Sequence, residues 1–415
     1  MVYVISKENK PLMPCSNVIA RLLLKQGKAK IKGKQPFTIK LLYETTNYTQ
    51  DLTLGVDTGS GTIGTAVATD SSKVVYVSEV VVRNDITNKM TQRAKYRRNR
   101  RNRKTRYRKE KFLNRKNSIK IDRFNPTMVS KLHSHVKEIE YIKSILPIKT
   151  LVLETSQFDP HLMQNPELKY KPWGYQKGKN YGFANTKEMV LSRDNYTCQY
   201  CKGKHKDSKL EVHHIIYRSN HGSDDENNLI TLCQTCHKLL HNGEIKLNLK
   251  GKSKGTLKYA TQMNSIRKQL LRIYPGAIET FGFVTKENRL NINVDKHHYL
   301  DACVIATGGK EFQICCNIYK KRCVSKGDFQ QTKGVRSEQR LNTKKICGFR
   351  KFDKVKYFGK EYFIKGRMSA GYAVLMDIEG KKIDFSDMPK GRKSVKLNNC
   401  KRISARKSQL ITLYS

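Results

Sequence analysis

The chain is short of acid. Of its 415 residues only 35 are Asp or Glu, against 82 Lys or Arg, which leaves a formal charge of +47. Such a chain repels itself unless a polyanion neutralises it, so nucleic acid is the partner its composition implies. It also lacks any apolar run of about 18 residues or more, which excludes a membrane-spanning helix. The N-terminal MVYVISKENK has neither the apolar core nor the cleavage site of a secretory signal. A soluble, intracellular protein with no membrane partner is expected. With 38% hydrophobic residues it can still bury real cores, and its length suggests two to four compact units.

Cysteine is present but does not read as a disulfide framework: there are eleven, an odd number, and no export signal. Four form two C-x-x-C pairs, Cys198 with Cys201 and Cys233 with Cys236, a pattern that means metal in a reducing compartment. Two such pairs, about thirty residues apart, can close a tetrahedral Zn2+ site that is structural because no position stays open.

Between Arg93 and Lys116 the chain has no Gly or Pro and a single acid, Glu110, among fourteen Lys or Arg. A helix is expected, charged all round and so unable to pack in a core. Nucleic acid touching more than one face explains it better than a solvated charge run. Its candidate phosphate ligands are Arg93, Arg97, Arg98, Arg100, Arg101, Arg103, Arg106 and Arg108.

Elsewhere the pattern alternates strands and helices. Residues 1–50 read as a small β/α unit: a strand VYVIS, a turn-rich KPLMP, an amphipathic NVIARLLLKQG and then QPFTIKLLY. Residues 52–83 carry three β-rich runs with turns between them, an antiparallel meander. Met128, Leu132, Val136, Ile139, Ile142 and Leu146 recur at helical spacing, with Thr127 as cap and Pro147 as stop, and KTLVLE follows as a short strand. Residues 160–185, rich in Gly, Pro and Asn, look like a linker, and the last hundred residues hold short strand signals.

Two groups of residues carry chemistry. His213 and His214 adjoin on an extended segment and point oppositely, whereas His237 and His241, four apart, share a helix face. Separately, Asp57 ends LTLGVD, Glu154 ends KTLVLE, and His298 and Asp301 lie three apart in KHHYLDACVIA. Carboxylates at the ends of apolar strands are costly unless they hold metal, for which Mg2+ is the natural choice. If the two strands are neighbours and the helix packs over them, Asp57, Glu154 and Asp301 converge on two ions about 4 Å apart.

The Cys/His segment closely resembles the HNH nuclease motif; a plain zinc ribbon would explain its cysteines but not its paired histidines. The resemblance implies that His214 is the general base, that His213 and His237 hold a catalytic divalent metal with His241 as a further candidate, and that Asn228 orients the base. Asp57, Glu154, His298 and Asp301 resemble the three segments of a RuvC nuclease.

KPLMP, GVDTGSGTIG, the Arg-rich helix, VLET, GYQKGKNYGF, the HNH segment and HHYLDA occur in the order typical of the IscB family, transposon-encoded RNA-guided DNA endonucleases related to CRISPR effectors. The implied fold is α/β and multidomain: an RNase H-like RuvC core split in three, an inserted Arg-rich bridge helix, a zinc-bound ββα HNH module and a small β-rich C-terminal domain. The implied boundaries are 1–50 for the PLMP domain, 51–84 for RuvC-I, 85–118 for the bridge helix, 119–160 for RuvC-II, 161–185 for the linker, 186–246 for HNH, 247–310 for RuvC-III and 311–415 for a domain contacting guide RNA and a target-adjacent motif.

By the same resemblance the cofactors are Mg2+ or Mn2+ and Zn2+, and the partners are a guide RNA with its omega RNA scaffold and a double-stranded DNA target. The particle is a monomeric ribonucleoprotein in a prokaryotic cytoplasm, associated with the nucleoid when bound to DNA. HNH would cut the guide-paired strand and RuvC the displaced one. Two alternatives stay open: an RNA-independent HNH homing endonuclease, and a nuclease-inactive RNA-binding protein.

Overall fold

A computed structural model describes residues 1–101, 124–178, 180–220, 222–247, 249, 257–325, 345–386 and 393–414. Arg103, Arg106 and Arg108 lie outside the described residues, as do the side chains of Arg100 and Arg101. The chain divides into two compact units, Met1–Ser156 with Ser265–Ser415, and Gln157–Asn264. Among the described residues no helix is long and apolar enough to cross a membrane.

The first unit opens with β1 (Val2–Ile5), β2 (Pro11–Cys15), α1 (Asn17–Lys25), β3 (Ala29–Lys34) and β4 (Phe37–Leu41), whose sheet runs β2-β1-β4-β3. Val2, Val4, Leu12, Ala20, Ile39 and Leu41 form its core. KPLMP, expected as a turn, is mostly strand. Its prolines are tolerated because β2 lies at the sheet edge, where missing N–H donors cost no ladder bonds.

Next come β5 (Leu52–Asp57), β6 (Thr62–Thr69) and β7 (Lys73–Val81), the expected antiparallel meander. Then follow α2 (Ile86–Arg101), α3 (Pro126–Lys143) and β8 (Ile148–Thr155). In α2, Arg93, Arg97 and Arg98 are exposed. Helix α3 starts before Thr127: Pro126 opens it and the side chain of Asn125 caps it, accepting from Met128 N at 2.9 Å. It ends at Lys143, short of the expected Leu146.

The second unit holds α4 (Pro160–Gln164), α5 (Thr186–Arg193), β9 (Leu210–His214), β10 (Leu229–Cys233) and α6 (Gln234–His241). Helix α7 (Leu257–Ile273) leads back to the first unit and to β11 (Ile278–Phe281), α8 (Gly282–Asn291), α9 (His298–Thr307), β12 (Gln313–Ile314) and β13 (Ile318–Cys323). Then come β14 (Lys354–Tyr357), β15 (Lys360–Arg367), β16 (Tyr372–Met376), β17 (Val395–Lys396), β18 (Lys401–Ser404) and β19 (Gln409–Leu413). Strands β14 to β18 make a five-stranded sheet around buried Val355, Ile364, Leu375 and Phe385.

The central sheet runs β11-β8-β5-β6-β7-β13-β19. β8 lies parallel to β5, and α9 lies flat on β5 and β6 over a layer of small side chains, Ala66, Ala68, Ala302, Cys303 and Ala306. Two glycines allow that approach. A Cβ on Gly55 would sit 2.5 Å from Ala306 N, and one on Gly64 would sit 1.9 Å from His298 O.

Helix α3 buries polar groups. Glu138 Oε1 accepts from Ser78 at 2.9 Å, Tyr76 at 3.1 Å and Lys321 at 2.5 Å, all inside the protein. Burial alone would drive both ions neutral. The ammonium overrides it and holds Glu138 below the usual carboxylate range.

Candidate active sites

In the second unit, β9 and β10 form an antiparallel ribbon that pairs His213 with Ile230 and His214 with Leu229, and α6 follows directly. Cys198, Cys201, Cys233 and Cys236 are all buried, with their sulfurs within 4.8 Å of one another. Cys201 Sγ and Cys233 Sγ are 3.8 Å apart. That is the edge of a tetrahedron whose centre lies about 2.3 Å from each thiolate, so the residues fit zinc.

The ribbon separates the two adjacent histidines. His213 is buried and faces α6, where its ring meets those of His237 and His241 at centroid distances of 5.0 and 5.2 Å. The nitrogens of the three lie within 4.8 Å of one another, with His237 Nε2 and His241 Nε2 at 3.2 Å. This donor set fits one divalent ion, with His241 in it. Burial first, then the neighbouring rings, push His213 down to about 4, so it is neutral and able to ligate at ordinary pH.

His214 points the other way, its Nε2 2.9 Å from Asp224 Oδ1, and Arg218 Nε reaches the same oxygen at 2.8 Å. His213, His214, Tyr217, Arg218, His237 and His241 nevertheless line one open cleft of about 340 Å³.

Asn228 does not reach the His214 ring. Its side chain accepts from Ile216 N at 2.9 Å and donates to Ile216 O at 3.0 Å and Ser223 O at 2.8 Å, while its carbonyl accepts from Ile215 N. It therefore clamps the backbone immediately after His214.

Two carboxylates of this site escaped the sequence. Asp224 is one; Glu211 is the other, its Oε2 2.6 Å from His237 Nδ1. A carboxylate on Nδ1 fixes the tautomer that leaves Nε2 free for metal. Glu211→Gln is expected to slow the cut made here by about 10- to 100-fold, measured as the cleavage rate of one end-labelled strand across an Mn2+ titration. A rate unchanged at limiting Mn2+ would deny Glu211 that part.

In the first unit, Asp57 and Glu154 are register partners at the ends of neighbouring parallel strands. His298 Nδ1 is 2.6 Å from Asp57 Oδ2, and Asp301 stands one helical turn further along α9. Three segments far apart in sequence thus meet at one end of the sheet. Glu154 Oε2 and Asp301 Oδ1 are buried without a hydrogen-bond partner, although Arg289 Nε approaches Asp301 Oδ1 at 3.1 Å. Burial first, then the charge of Asp57, push Glu154 up to about 7 and raise Asp301 as well. Buried carboxylates that repel one another in a half-buried site are a fit for hard divalent cations, which remove that repulsion. A Cβ on Gly282 would come within 3.1 Å of Glu154 Oε1, so the start of α8 leaves this carboxylate room.

Residues 2–178 match the RRXRR protein family and residues 198–243 match the HNH endonuclease family. An RRXRR segment followed by an HNH domain, in this order and around these two sites, decides the assignment. The chain is an IscB-like protein.

Other likenesses of the IscB-like chain are partial. It is 35% identical over 69 residues to Anaredoxin of Nostoc sp. (strain PCC 7120), 17% of this chain and 88% of that protein, so that stretch and Anaredoxin belong to one family. A solved structure of Streptococcus thermophilus Cas9 in complex with the AGAA PAM is similar at 12% identity and a TM-score of 0.34, covering 58% of this chain. Another, with the AGGA PAM, is similar at 14% identity and a TM-score of 0.33. The IscB-like chain spans about a third of the length of those Cas9 chains, 32% in each. At that level of similarity the likeness says nothing of its activity.

Proposed function

We propose that the chain is an RNA-guided DNA endonuclease with two independent hydrolytic sites, the HNH site around His214 and a RuvC-type site around Asp57. The observation that carries this is the meeting of Asp57, Glu154, His298 and Asp301, drawn from three distant segments, in a chain that separately holds an HNH domain. A single-site homing enzyme has no use for the second cluster.

At the HNH site, His214 takes the proton of the attacking water. Asp224 stabilises the imidazolium that forms, and Asn228 fixes the backbone that aims the ring. His213, His237 and His241 would hold a divalent ion, Mg2+ or Mn2+, which would supply positive charge to the phosphorane-like charge and the leaving oxygen. Zn2+ on the four cysteines is structural. At the second site Asp57, Glu154 and Asp301 are the Mg2+ ligands, with His298 held against Asp57. We further assign the guide-paired strand to HNH and the displaced strand to the RuvC-type site. The domain boundaries given above, the omega RNA scaffold, the monomeric ribonucleoprotein, the transposon origin and the cytoplasmic location belong to the same proposal.

RNA dependence is tested through the basic helix. Arg97, Arg98, Arg100 and Arg101 changed together to Ala are expected to weaken RNA binding and to abolish both cuts. They should also flatten the salt dependence of binding, by about 0.9 in log–log slope for each duplex phosphate no longer neutralised. Filter binding across a salt series, with sequencing of copurified RNA, checks it. Demonstrably RNA-free protein that cuts one fixed DNA sequence would overturn the proposal in favour of a homing endonuclease.

A further inference from the structure

The stretch expected as a linker is an ordered piece of the second unit. Asp159 caps α4 through His161 N and Leu162 N, at 2.9 and 3.0 Å. Two 3-10 turns follow, Pro166–Lys169 and Pro172–Gln176. Leu168 is buried beneath them, close enough to Gly174 that a Cβ there would lie 2.6 Å from its Cδ2. Asn264 clips the start of the segment, accepting from Phe158 N at 2.9 Å and donating to Phe158 O at 2.7 Å. The backbone is therefore anchored while the large rings stay outside: Tyr170 is 81% exposed, Trp173 62% and Tyr181 63%. Folding orders this segment yet leaves large aromatic rings in water, which marks a binding surface.

The charge pattern says for what. No acid occurs between Glu167 and Glu188, while Lys169, Lys171 and Lys177 are exposed among the rings. Lys177 Nζ lies 5.0 Å from the centroid of Trp173 and 5.3 Å from that of Tyr181, so one ammonium sits between two open aromatic faces. Rings that accept a base face, alternating with cations that accept phosphate, suit a single-stranded polynucleotide. A duplex has its base faces already stacked and offers none to open rings.

We propose that Tyr170, Trp173 and Tyr181, with Lys177, form a stacking platform for single-stranded DNA. This rests on the guided-endonuclease reading, in which RNA pairs with one DNA strand and leaves the other unpaired. The segment also follows in the chain directly on the strand that ends at Glu154 and Thr155.

Trp173 is the single tryptophan of the chain, so its fluorescence reports this surface alone. Full-length protein loaded with its RNA is titrated with a twenty-nucleotide oligothymidylate, and in parallel with a blunt DNA duplex of that length. The expected result is quenching by the single strand and little by the duplex. Tyr170→Ala and Tyr181→Ala should each weaken the binding about five-fold or more, with the HNH-site cut retained as proof of folding, and Trp173→Phe, followed by a labelled oligonucleotide, should bind nearly as the parent does. Absent quenching, equal quenching by duplex, unchanged affinity in both alanine variants, or quenching already complete once RNA is loaded would each overturn the platform. Cleavage distinguishes the two failures: guided cutting without quenching removes only the platform, and quenching without guided cutting removes the endonuclease reading.

Discussion

Asp57→Ala is expected to leave one DNA strand cut at the parent rate and the other intact, and His214→Ala to do the reverse. The reason is separation. Asp57 meets Glu154 and His298 in the first unit, whereas His214 lines the cleft of His213, His237 and His241 in the second. Losing a general base costs about 10²- to 10⁴-fold at its own site. Losing Asp57 removes a carboxylate ligand and leaves His298 without its partner, an effect at least as large. Supercoiled plasmid bearing the guide's target should be nicked rather than linearised by each variant, and differently labelled ends identify which strand survives. Either substitution abolishing both cuts, with RNA and DNA binding intact, would contradict two independent sites.

What the sequence disclosed followed the range of the interactions. The cysteine pairs and the His237/His241 spacing were legible because both ends of each relation lie within a turn or a hairpin. The pairing of Asp57 with Glu154 is a parallel register between strands about a hundred residues apart, and the sequence offered it only as a condition. Glu211 and Asp224 were not legible at all: on a half-buried strand and an exposed loop, a carboxylate looks like any solvated charge until the histidine it holds is known to be beside it. Proline misled at KPLMP because breaking a central strand and ending a sheet look alike along the chain. In α3 the apolar periodicity located the helix and much of its buried face, with Met128, Ile139 and Ile142 buried, but not the polar groups buried beside them. Leu132 and Val136 are only half buried, while Lys131, His135 and Glu138 are fully buried. Glu138 is held there by Tyr76, Ser78 and Lys321, partners no local pattern announces.

Removing zinc is expected to unfold the HNH module and abolish its cut while sparing the cut at Asp57. The described core of the module is small and nearly half of it is the cysteine cluster: Cys198, Cys201, Cys233 and Cys236 pack with Ile230 and Leu232, and Met189, Val190 and Leu229 form a second small cluster. A core so small supplies little stability, whereas zinc on such ligands contributes about 10–16 kcal/mol at neutral pH. Without it, burial pushes the Cys233 thiol up to about 11, and no ion draws the four sulfurs together. The consequence reaches the active site through α6. Cys233 is its N-cap and Cys236 lies in its first turn, so releasing those sulfurs frees the start of the helix that carries His237 and His241. Metal analysis should find one tightly held zinc per chain. After chelation and return of Mg2+ alone, hydrogen exchange over residues 198–243 should rise to that of an unfolded segment, and the labelled strand assigned to His214 should stay whole while the other is cut. Cys233→Ser should reproduce this without chelator, and zinc added back should rescue the chelated parent but not the variant. A zinc-free module that still cut its strand at the parent rate would remove the four cysteines from the account of this site.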